Sequence, residues 1–319
     1  MKRKTIILLL IAVSCVLIGC ILFLGVMMGI NWDFSKLSTV EYETNEYEIQ
    51  DIIQNFRIVT DTADIELVPA ENIRVICTEQ INARHIVSVE DGTLQIKIDN
   101  RIKWYEYLGL NFGKPKITVY VPAGQYVALS VEGSTGDITI PQAYEFTNLE
   151  ILQSTGNVIC NASAMGDMKI QTSTGQICLE DLYAGSLELS VSTGNIKVSN
   201  VNCGTDINIR VSTGNAFLTY ASCKNLSTDG NTGNITMKDV VASGKFTIKR
   251  TTGDVNLENC DAAELCVTTD TGDVTGSLAS EKLFICKTNT GRVEVPATTF
   301  GGKCEITTTS GDIRLKISH

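Results

Sequence analysis

The most chemically suggestive residues follow a glycine that recurs along the second half of the chain. The residue after this glycine is Asp254, Asp273 and Asp312 in three late copies, and Arg292 in the copy between the last two. If the copies stack as strands ~4.8 Å apart, two neighbouring carboxylates would lie about 5 Å apart, the separation that retaining glycosidases use. The spacing therefore raises the hypothesis of a carbohydrate-active enzyme.

The other copies of this position favour a structural role. Asp, Asn or Gln fills the position in every copy except Arg292. Asn and Asp tolerate tight corners best after Gly, so corner geometry already explains the residue type. Arg292 would neutralise a neighbouring carboxylate, and no His or Lys recurs there to move protons. We therefore expect no catalytic residue and no enzymatic turnover, and the 19–20-residue period does not fit a calcium-binding nonapeptide roll.

The eleven cysteines raise a second chemical possibility, a metal or disulfide framework. Cys15 and Cys20 lie in an apolar N-terminal run, which leaves nine beyond it. None forms a C-x-x-C pair, and the histidines are His85 and His319, so the spacing of zinc ligands is missing. We expect buried cysteines that act as small hydrophobes, no metal and no cofactor. A stacked disulfide such as Cys203–Cys223 is the alternative.

A segment from Arg101 to Lys116 gathers large aromatic side chains among basic residues. The candidate contact residues are Trp104, Tyr105, Tyr107 and Phe112. They could cover the end of the first repeat, because the end of a repeat stack must be shielded from water. They could instead stack on a sugar or contact a partner protein.

The elements that position these residues are set by a repeat. The recurring glycines are Gly136, Gly156, Gly175, Gly194, Gly214, Gly233, Gly253, Gly272, Gly291 and Gly311. Each lies 19 or 20 residues after the one before, and a fixed period near 20 indicates a solenoid.

Apolar residues recur two and four positions after most of these glycines, with Gly276 as an exception, and seven and five positions before them, as in Ile196/Val198 and Leu187/Leu189. Alternation with period two, rich in β-branched residues, predicts strands with one buried face. We therefore expect an all-β fold: a right-handed parallel β-solenoid (single-stranded β-helix) of about ten to eleven rungs of 19–20 residues, with a β-rich N-terminal cap.

The N-terminus predicts a membrane anchor. Lys2, Arg3 and Lys4 precede an uncharged run from Thr5 to Ile30, which is about 39 Å long as a helix and enough to cross a bilayer. Basic residues stay inside, so we expect a single-pass protein of the bacterial cell membrane with its C-terminal domain extracellular. Leu17–Cys20 resembles a lipoprotein box, which leaves lipidation of Cys20 as the alternative.

We expect three regions: a basic tip and transmembrane anchor at 1–30, a polar stalk, degenerate first rung and cap at 31–125, and the repeats at 126–319. Phe56–Leu67 fits the repeat, with Ala63 in place of the glycine. The formal net charge is −10, which argues against nucleic acid as a partner.

The chain after Gly311 carries no segment that would cap the last rung. Ile313, Leu315 and Ile317 would form an apolar row along an unpaired strand edge. Unpaired edges recruit strands, so the row predicts a homo-oligomer through the C-terminal rung. Docking of a partner, or fraying in water, are the alternatives.

Several motifs together resemble a known family. They are the Phe56–Leu67 pattern, the hairpin Asp91–Ile96, the Val-Tyr-Val-Pro of Val119–Pro122 and the tandem Ser-Thr-Gly-Asp/Asn-Ile corners. This order is similar to that of a bacterial domain-of-unknown-function family labelled "putative adhesin", over about residues 40 to 319. The resemblance implies a surface-exposed β-solenoid without an assigned catalytic site. Some similar proteins are encoded in operons for envelope-stress responses.

Together, the residues and the resemblance lead to one functional expectation. The chain is a membrane-anchored, surface-exposed, non-catalytic binding or adhesion protein of the cell envelope, with a link to envelope-stress sensing. Its partner would be an envelope protein or glycan. The alternatives are a β-helix enzyme acting on envelope polysaccharide and a self-assembling structural solenoid.

Overall fold

A computed structural model describes residues 3–33, 41–99 and 113–318 of the chain. One helix, α1 (Arg3–Gly29), precedes the strands. Its stretch Ile7–Gly29 has a mean hydropathy of 3.2, which makes it long and apolar enough to cross a membrane. A signal sequence near the N-terminus has the same properties.

The rest of the described chain is almost entirely β. The strands are β1 (Tyr42–Ile49), β2 (Asn55–Thr62), β3 (Asp64–Pro69), β4 (Ile73–Gln80), β5 (His85–Glu90), β6 (Thr93–Ile98), β7 (Lys116–Val121), β8 (Gly124–Thr135), β9 (Ile138–Ile140), β10 (Tyr144–Thr155), β11 (Val158–Cys160), β12 (Ser163–Thr174), β13 (Ile177–Thr193), β14 (Ile196–Cys203), β15 (Asp206–Thr213), β16 (Ala216–Cys223), β17 (Asn225–Thr232), β18 (Ile235–Thr252), β19 (Val255–Thr271), β20 (Val274–Leu278), β21 (Lys282–Thr290), β22 (Val293–Glu294), β23 (Gly302–Ser310) and β24 (Ile313–Ile317).

These strands stack as a parallel β-solenoid of about ten turns, as the repeat predicts. In the row of strands that precede the corner glycine, Ile151 pairs with Ile170, and Ile170 pairs with Leu189. All three side chains are completely buried. The same column continues along the stack, so equivalent apolar residues of successive rungs form one continuous core.

The corner glycines have a backbone conformation that other residues rarely adopt. Gly194 has a φ of +142° and Gly214 a φ of +136°. A Cβ on Gly214 would overlap the carbonyl oxygen of Gly194 in the preceding rung. Both the dihedral angle and the close approach of the backbones therefore require glycine.

Antiparallel strands close the N-terminal end of the stack. β2 and β3 stack on β8 and β9, with Ala63 at the corner below Gly136. β7 pairs with β3, and β4 and β1 follow in antiparallel order. β6 pairs with β2 and carries β5 as an antiparallel edge strand. This cap replaces a bare first rung, as the end of a solenoid requires.

The final turns do not stack in the order of the sequence. β23 lies between β19 and β21, and β24 lies between β20 and β22. The chain therefore builds the outermost rung with β21 and β22, and then returns to insert its last two strands one level below.

The prediction that Ile313, Leu315 and Ile317 form the exposed terminal row is wrong. Ile313 is fully buried, Leu315 is 6% exposed and Ile317 packs against the core. Insertion between two rungs removes this apolar row from water and pairs β24 along β20 on one side and with β22 on the other. Among the described strands, β21 and β22 form the unpaired edge at this end of the stack instead.

The rung order predicts which engineered cysteines can cross-link. Thr268 on β19 and Lys287 on β21 each neighbour Thr307 on β23, and all three side chains are exposed. Neighbouring strands lie about 4.8 Å apart, within the Cα spacing of a disulfide, whereas strands two levels apart do not. Oxidation of Thr268→Cys/Thr307→Cys should give an intramolecular disulfide, detected by mass spectrometry of peptides.

Thr268→Cys/Lys287→Cys is the matched control, and it should stay reduced under the same conditions. A chain stacked in sequence order would reverse the two results, because β21 would then lie directly on β19.

Candidate functional site

The acidic and amide residues after each corner glycine form a hydrogen-bonded ladder along the stack. The side chain of one rung accepts a hydrogen bond from the backbone N–H of the corresponding residue in the next rung. Asp137 Oδ1 accepts from Asn157 N at 2.7 Å, and Asn234 Oδ1 accepts from Asp254 N at 2.9 Å. A side-chain oxygen that caps a backbone donor explains why Asp and Asn dominate the position.

The candidate glycosidase carboxylates belong to this ladder. Asp254 Oδ1 accepts from Asp273 N at 2.9 Å, and Asp273 Oδ1 accepts from Asp312 N at 2.8 Å. Arg314 also contacts Asp273 Oδ2 at 3.3 Å and Asp312 Oδ2 at 3.2 Å. One oxygen of each carboxylate accepts a backbone hydrogen bond from the neighbouring rung, so the arrangement supports a structural role for these carboxylates.

Arg292 breaks the pattern because of its position in the stack. Asp312 Oδ1 accepts from Arg292 N at 2.8 Å, which makes Arg292 the last residue of the ladder. No described strand lies beyond β21 and β22, so the residue at this level has no following backbone donor to accept from. The exception in the sequence thus marks the outermost rung.

The outermost rung exposes large apolar side chains. We call these residues the terminal patch: Leu283 (42% exposed), Ile285 (55%), Val293 (42%) and Phe300 (64%). β21 pairs with β23 along one edge, and within the described residues no strand covers its other edge. The patch therefore combines exposed apolar area with unpaired backbone donors and acceptors, which is a template for another strand.

The aromatic candidates give no further information here. Trp104, Tyr105, Tyr107 and Phe112 all lie outside the described residues, so their role as a cover or as a contact surface stays a prediction.

A polar groove of about 490 Å³ crosses the rungs near the N-terminal end. Its walls are rich in hydroxyl and amide side chains, including Ser134, Ser154, Ser173 and Gln171. None of the residues that line it is aromatic, so a sugar would find no ring to stack on. The groove gives little support to glycan binding.

A buried polar cluster lies in the N-terminal cap, and the sequence reasoning missed it. We call it the cap cluster: Thr60, Cys77, Glu79 and His85. Cys77 and Glu79 lie two residues apart on β4, so both point inward from the same face of the strand. Thr60 comes from β2 and His85 begins β5, and each of the four side chains is less than 5% exposed. The available signal was a glutamate at an inward position of an alternating strand.

Hydrogen bonds connect three members of the cap cluster, Thr60, Glu79 and His85, and Cys77 lies beside them. Glu79 Oε2 accepts from the backbone N of His85 and lies 2.6 Å from its Nδ1, and His85 Nε2 lies 2.9 Å from Thr60 Oγ1. Glu79 Oε1 accepts from Asn45 Nδ2 at 2.8 Å. A buried carboxylate is tolerated when its oxygens are satisfied in this way.

The order hydroxyl, imidazole, carboxylate also occurs in the catalytic triads of hydrolases. In those enzymes the hydroxyl must reach a substrate carbonyl. Thr60 is only 4% exposed and its oxygen faces His85 inside the cap. The geometry therefore favours a closed polar junction that joins β2, β4 and β5 over a nucleophile.

All eleven cysteines are free thiols, including Cys203 and Cys223, for which a stacked disulfide was the alternative. Burial raises the pKa of Cys160 to about 12, and burial together with the charge of Glu79 raises the pKa of Cys77 to about 12. Such thiols remain protonated at neutral pH when no metal ion is bound to them. This agrees with the expected role of cysteine as a small core residue.

The repeat pattern and the fold define a class of β-solenoid. The family model described as Toastrack DUF4097 matches residues 53–220 and 204–319. The chain belongs to this family, in agreement with the resemblance carried by its corner motifs.

The solved structures similar to this chain include three from Parabacteroides distasonis and Bacteroides fragilis. One from Parabacteroides distasonis, named a "putative lipid binding protein", is 16% identical, with 88% of this chain and 98% of that chain covered and a TM-score of 0.46. A "putative adhesin" from the same species is 11% identical, with 85% and 98% covered and a TM-score of 0.45. A "putative adhesin" from Bacteroides fragilis is 14% identical, with 86% and 97% covered and a TM-score of 0.32. No curated protein matches the chain.

The ladder predicts different costs for two exposed corner substitutions. Asn234→Ala removes the acceptor for Asp254 N and should lower the free energy of unfolding by about 1 kcal/mol, the usual net value of one hydrogen bond. Arg292→Ala should leave the free energy of unfolding unchanged, because no described rung follows whose backbone N–H could bond to this side chain. Chemical denaturation of both variants measures the difference, and equal midpoints would contradict the ladder.

Proposed function

We propose that this chain is a membrane-anchored, non-catalytic adhesion protein of the bacterial envelope, which binds a second copy of itself through the terminal patch. The observation that carries the proposal is the exposed, unpaired outer rung. The anchor precedes the first rung in the chain, and the terminal patch lies at the opposite end of the stack. Two chains can therefore meet end to end and join the surfaces that carry them.

The anchor is supported by α1. Its apolar stretch Ile7–Gly29 contains no charged residue. Lys2, Arg3 and Lys4 come before this stretch, and basic residues flanking a span are retained in the cytoplasm. The solenoid would then lie outside the cell. Lipidation at Cys20 would tether the solenoid to the same side of the membrane.

A second copy fits the terminal patch because β21 can pair with itself. Antiparallel pairing centred on Ile285 would place Leu283 opposite Lys287 of the other copy, and Phe284 opposite Cys286. No two like charges would then face each other, and like charges directly opposite are destabilising. The partly buried Phe284 and Cys286 pack against the core, so pairing would continue the core from one copy into the other.

The alternatives have weaker support. Enzymatic action on polysaccharide would need free carboxylates, and those of the corner ladder are engaged with backbone N–H groups. An envelope protein or glycan as partner, and a part in envelope-stress sensing, rest on the family resemblance. A self-assembling filament would need the N-terminal end to pair as well, and that end presents the antiparallel edge strands β1 and β5 of the cap, not a bare parallel rung.

The topology can be tested by proteolysis of intact protoplasts. A protease added outside should degrade the exported solenoid, because the basic N-terminus holds α1 with its C-terminal end outside. A cytoplasmic marker protein that stays intact is the control for lysis. Protection of the whole chain until detergent is added would contradict the assignment.

Self-association can be tested by analytical ultracentrifugation of the full chain in detergent. The wild type should show a concentration-dependent dimer, and Ile285→Lys should abolish it by placing two charges face to face. Ile159→Lys is the matched control, because Ile159 is an exposed residue (44%) of β11, a strand that is paired on both edges with β9 and β13. A wild type that is monomeric at all concentrations, or a dimer that survives Ile285→Lys, would overturn the proposed interface.

A further inference from the structure

We propose that Cys77, Glu79 and His85 of the cap cluster form a binding site for a zinc-like divalent metal ion. This site is independent of the terminal patch and of the proposed adhesion.

Geometry brings the three candidate ligands together. One ligand atom each from Cys77, Glu79 and His85 lie within 4.8 Å of one another. Cys77 and Glu79 are fixed by their shared face of β4, and His85 is fixed at the start of β5, where its backbone N–H donates to Glu79 Oε2 at 2.6 Å. Ligands that two strands of the same cap already hold close together need little rearrangement to close around an ion.

The chemistry of the three groups selects the class of metal. A thiolate, a carboxylate and an imidazole are the sulfur, oxygen and nitrogen donors that Zn²⁺ accepts, and harder ions such as Ca²⁺ and Mg²⁺ prefer oxygen alone. Two anionic ligands and one neutral ligand balance a 2+ charge. A site this deeply buried, with side chains at most 4% exposed, requires that balance.

Two neighbouring side chains form an outer shell of the kind that metal sites use. Asn45 Nδ2 donates to Glu79 Oε1 at 2.8 Å and so orients the carboxylate. Thr60 Oγ1 lies 2.9 Å from His85 Nε2. A ligating histidine normally donates its second ring N–H to such an oxygen, which fixes the ring and leaves the other nitrogen for the metal.

Binding changes a small number of bonds. The 2.6 Å contact between Nδ1 and Glu79 Oε2 requires a proton between these atoms, so His85 carries its ring proton on Nδ1 before the ion binds. On binding, this proton shifts to Nε2 and is donated to Thr60, and Nδ1 becomes free to bind the ion. The contact between Nδ1 and Glu79 Oε2, now 2.6 Å, opens as the ion enters between these atoms. The Cys77 thiol loses its proton to solvent and forms a metal–sulfur bond. The bound ion ties β4 to β5, and thus stabilises the cap that covers the first rung.

Cobalt(II) provides a direct probe, because a cobalt–thiolate bond gives a charge-transfer absorption that nitrogen and oxygen ligands lack. The experiment uses the full chain in detergent with Cys15→Ser and Cys20→Ser, because these two thiols are exposed and could bind metal themselves. We expect one Co²⁺ per chain, the thiolate band, and displacement of Co²⁺ by one equivalent of Zn²⁺. Bound Zn²⁺ should also raise the melting temperature.

Single substitutions show which residues bind the metal ion. Cys77→Ser should abolish the band, whereas Cys160→Ser should retain it, because Cys160 is equally buried but lies in the solenoid away from the cap cluster. Thr60→Val keeps all three ligands and should weaken Zn²⁺ binding about 10- to 100-fold, as the loss of an outer-shell partner does. The Thr60→Val variant also tests the proposed site if Cys77→Ser fails to fold.

Two results would overturn the site. One is that the chain with only Cys15→Ser and Cys20→Ser gives no thiolate band and takes up no Zn²⁺ in equilibrium dialysis. The other is a band that survives in a folded Cys77→Ser variant, which would place the bound metal on other cysteines.

Discussion

The close approach of successive corners is the constraint on which the rest of the structure depends. Each glycine carbonyl occupies the space that a Cβ of the next glycine would need, as with Gly194 and Gly214. The corner N–H of one rung then bonds to the rung beside it, for example Gly194 N to Thr213 O at 2.9 Å. This spacing aligns the apolar columns, so the core, the corner ladder and the exposed outer rung all follow from it.

The interior near the corner accepts polar residues where a glycine in the adjacent rung makes room. Gln153 extends over Gly133 and donates to the carbonyl of Gly136 at 2.8 Å. Arg250 extends over Gly230 and donates from Nη1 to Val211 O at 2.8 Å, and burial lowers its pKa. Backbone carbonyls that the stack has brought into reach thus accept hydrogen bonds from these long side chains, while Gln153 Oε1 and Arg250 Nε stay unpaired among the described residues.

Much of the fold could be predicted from the sequence because each rung repeats the same local rules. The alternation of residues such as Ile196 and Val198 determines the inward face, and the glycine period determines the corners. The reversed stacking order of the last two rungs could not be predicted. Both β21 and β23 fit the apolar columns of the repeat, and their order depends on packing. Arg292, the one departure from Asp, Asn or Gln after the corner glycine, marks the outermost rung. This significance becomes clear only from the ladder of hydrogen bonds in the structure. The cap cluster was missed because Cys77, Glu79 and His85 follow no metal-binding spacing in sequence.

Hydrogen–deuterium exchange of the full chain, measured by mass spectrometry, tests the stacking order most directly. Amides of β23 lie between two strands, whereas those of β21 lie on the outer edge. Amides in the interior of a sheet exchange more slowly than those on an edge, because their opening disrupts more of the structure. We predict slower exchange for residues 302–310 than for residues 282–290. The reverse order would show that the chain stacks in sequence, with its last strand outermost, and would contradict this account.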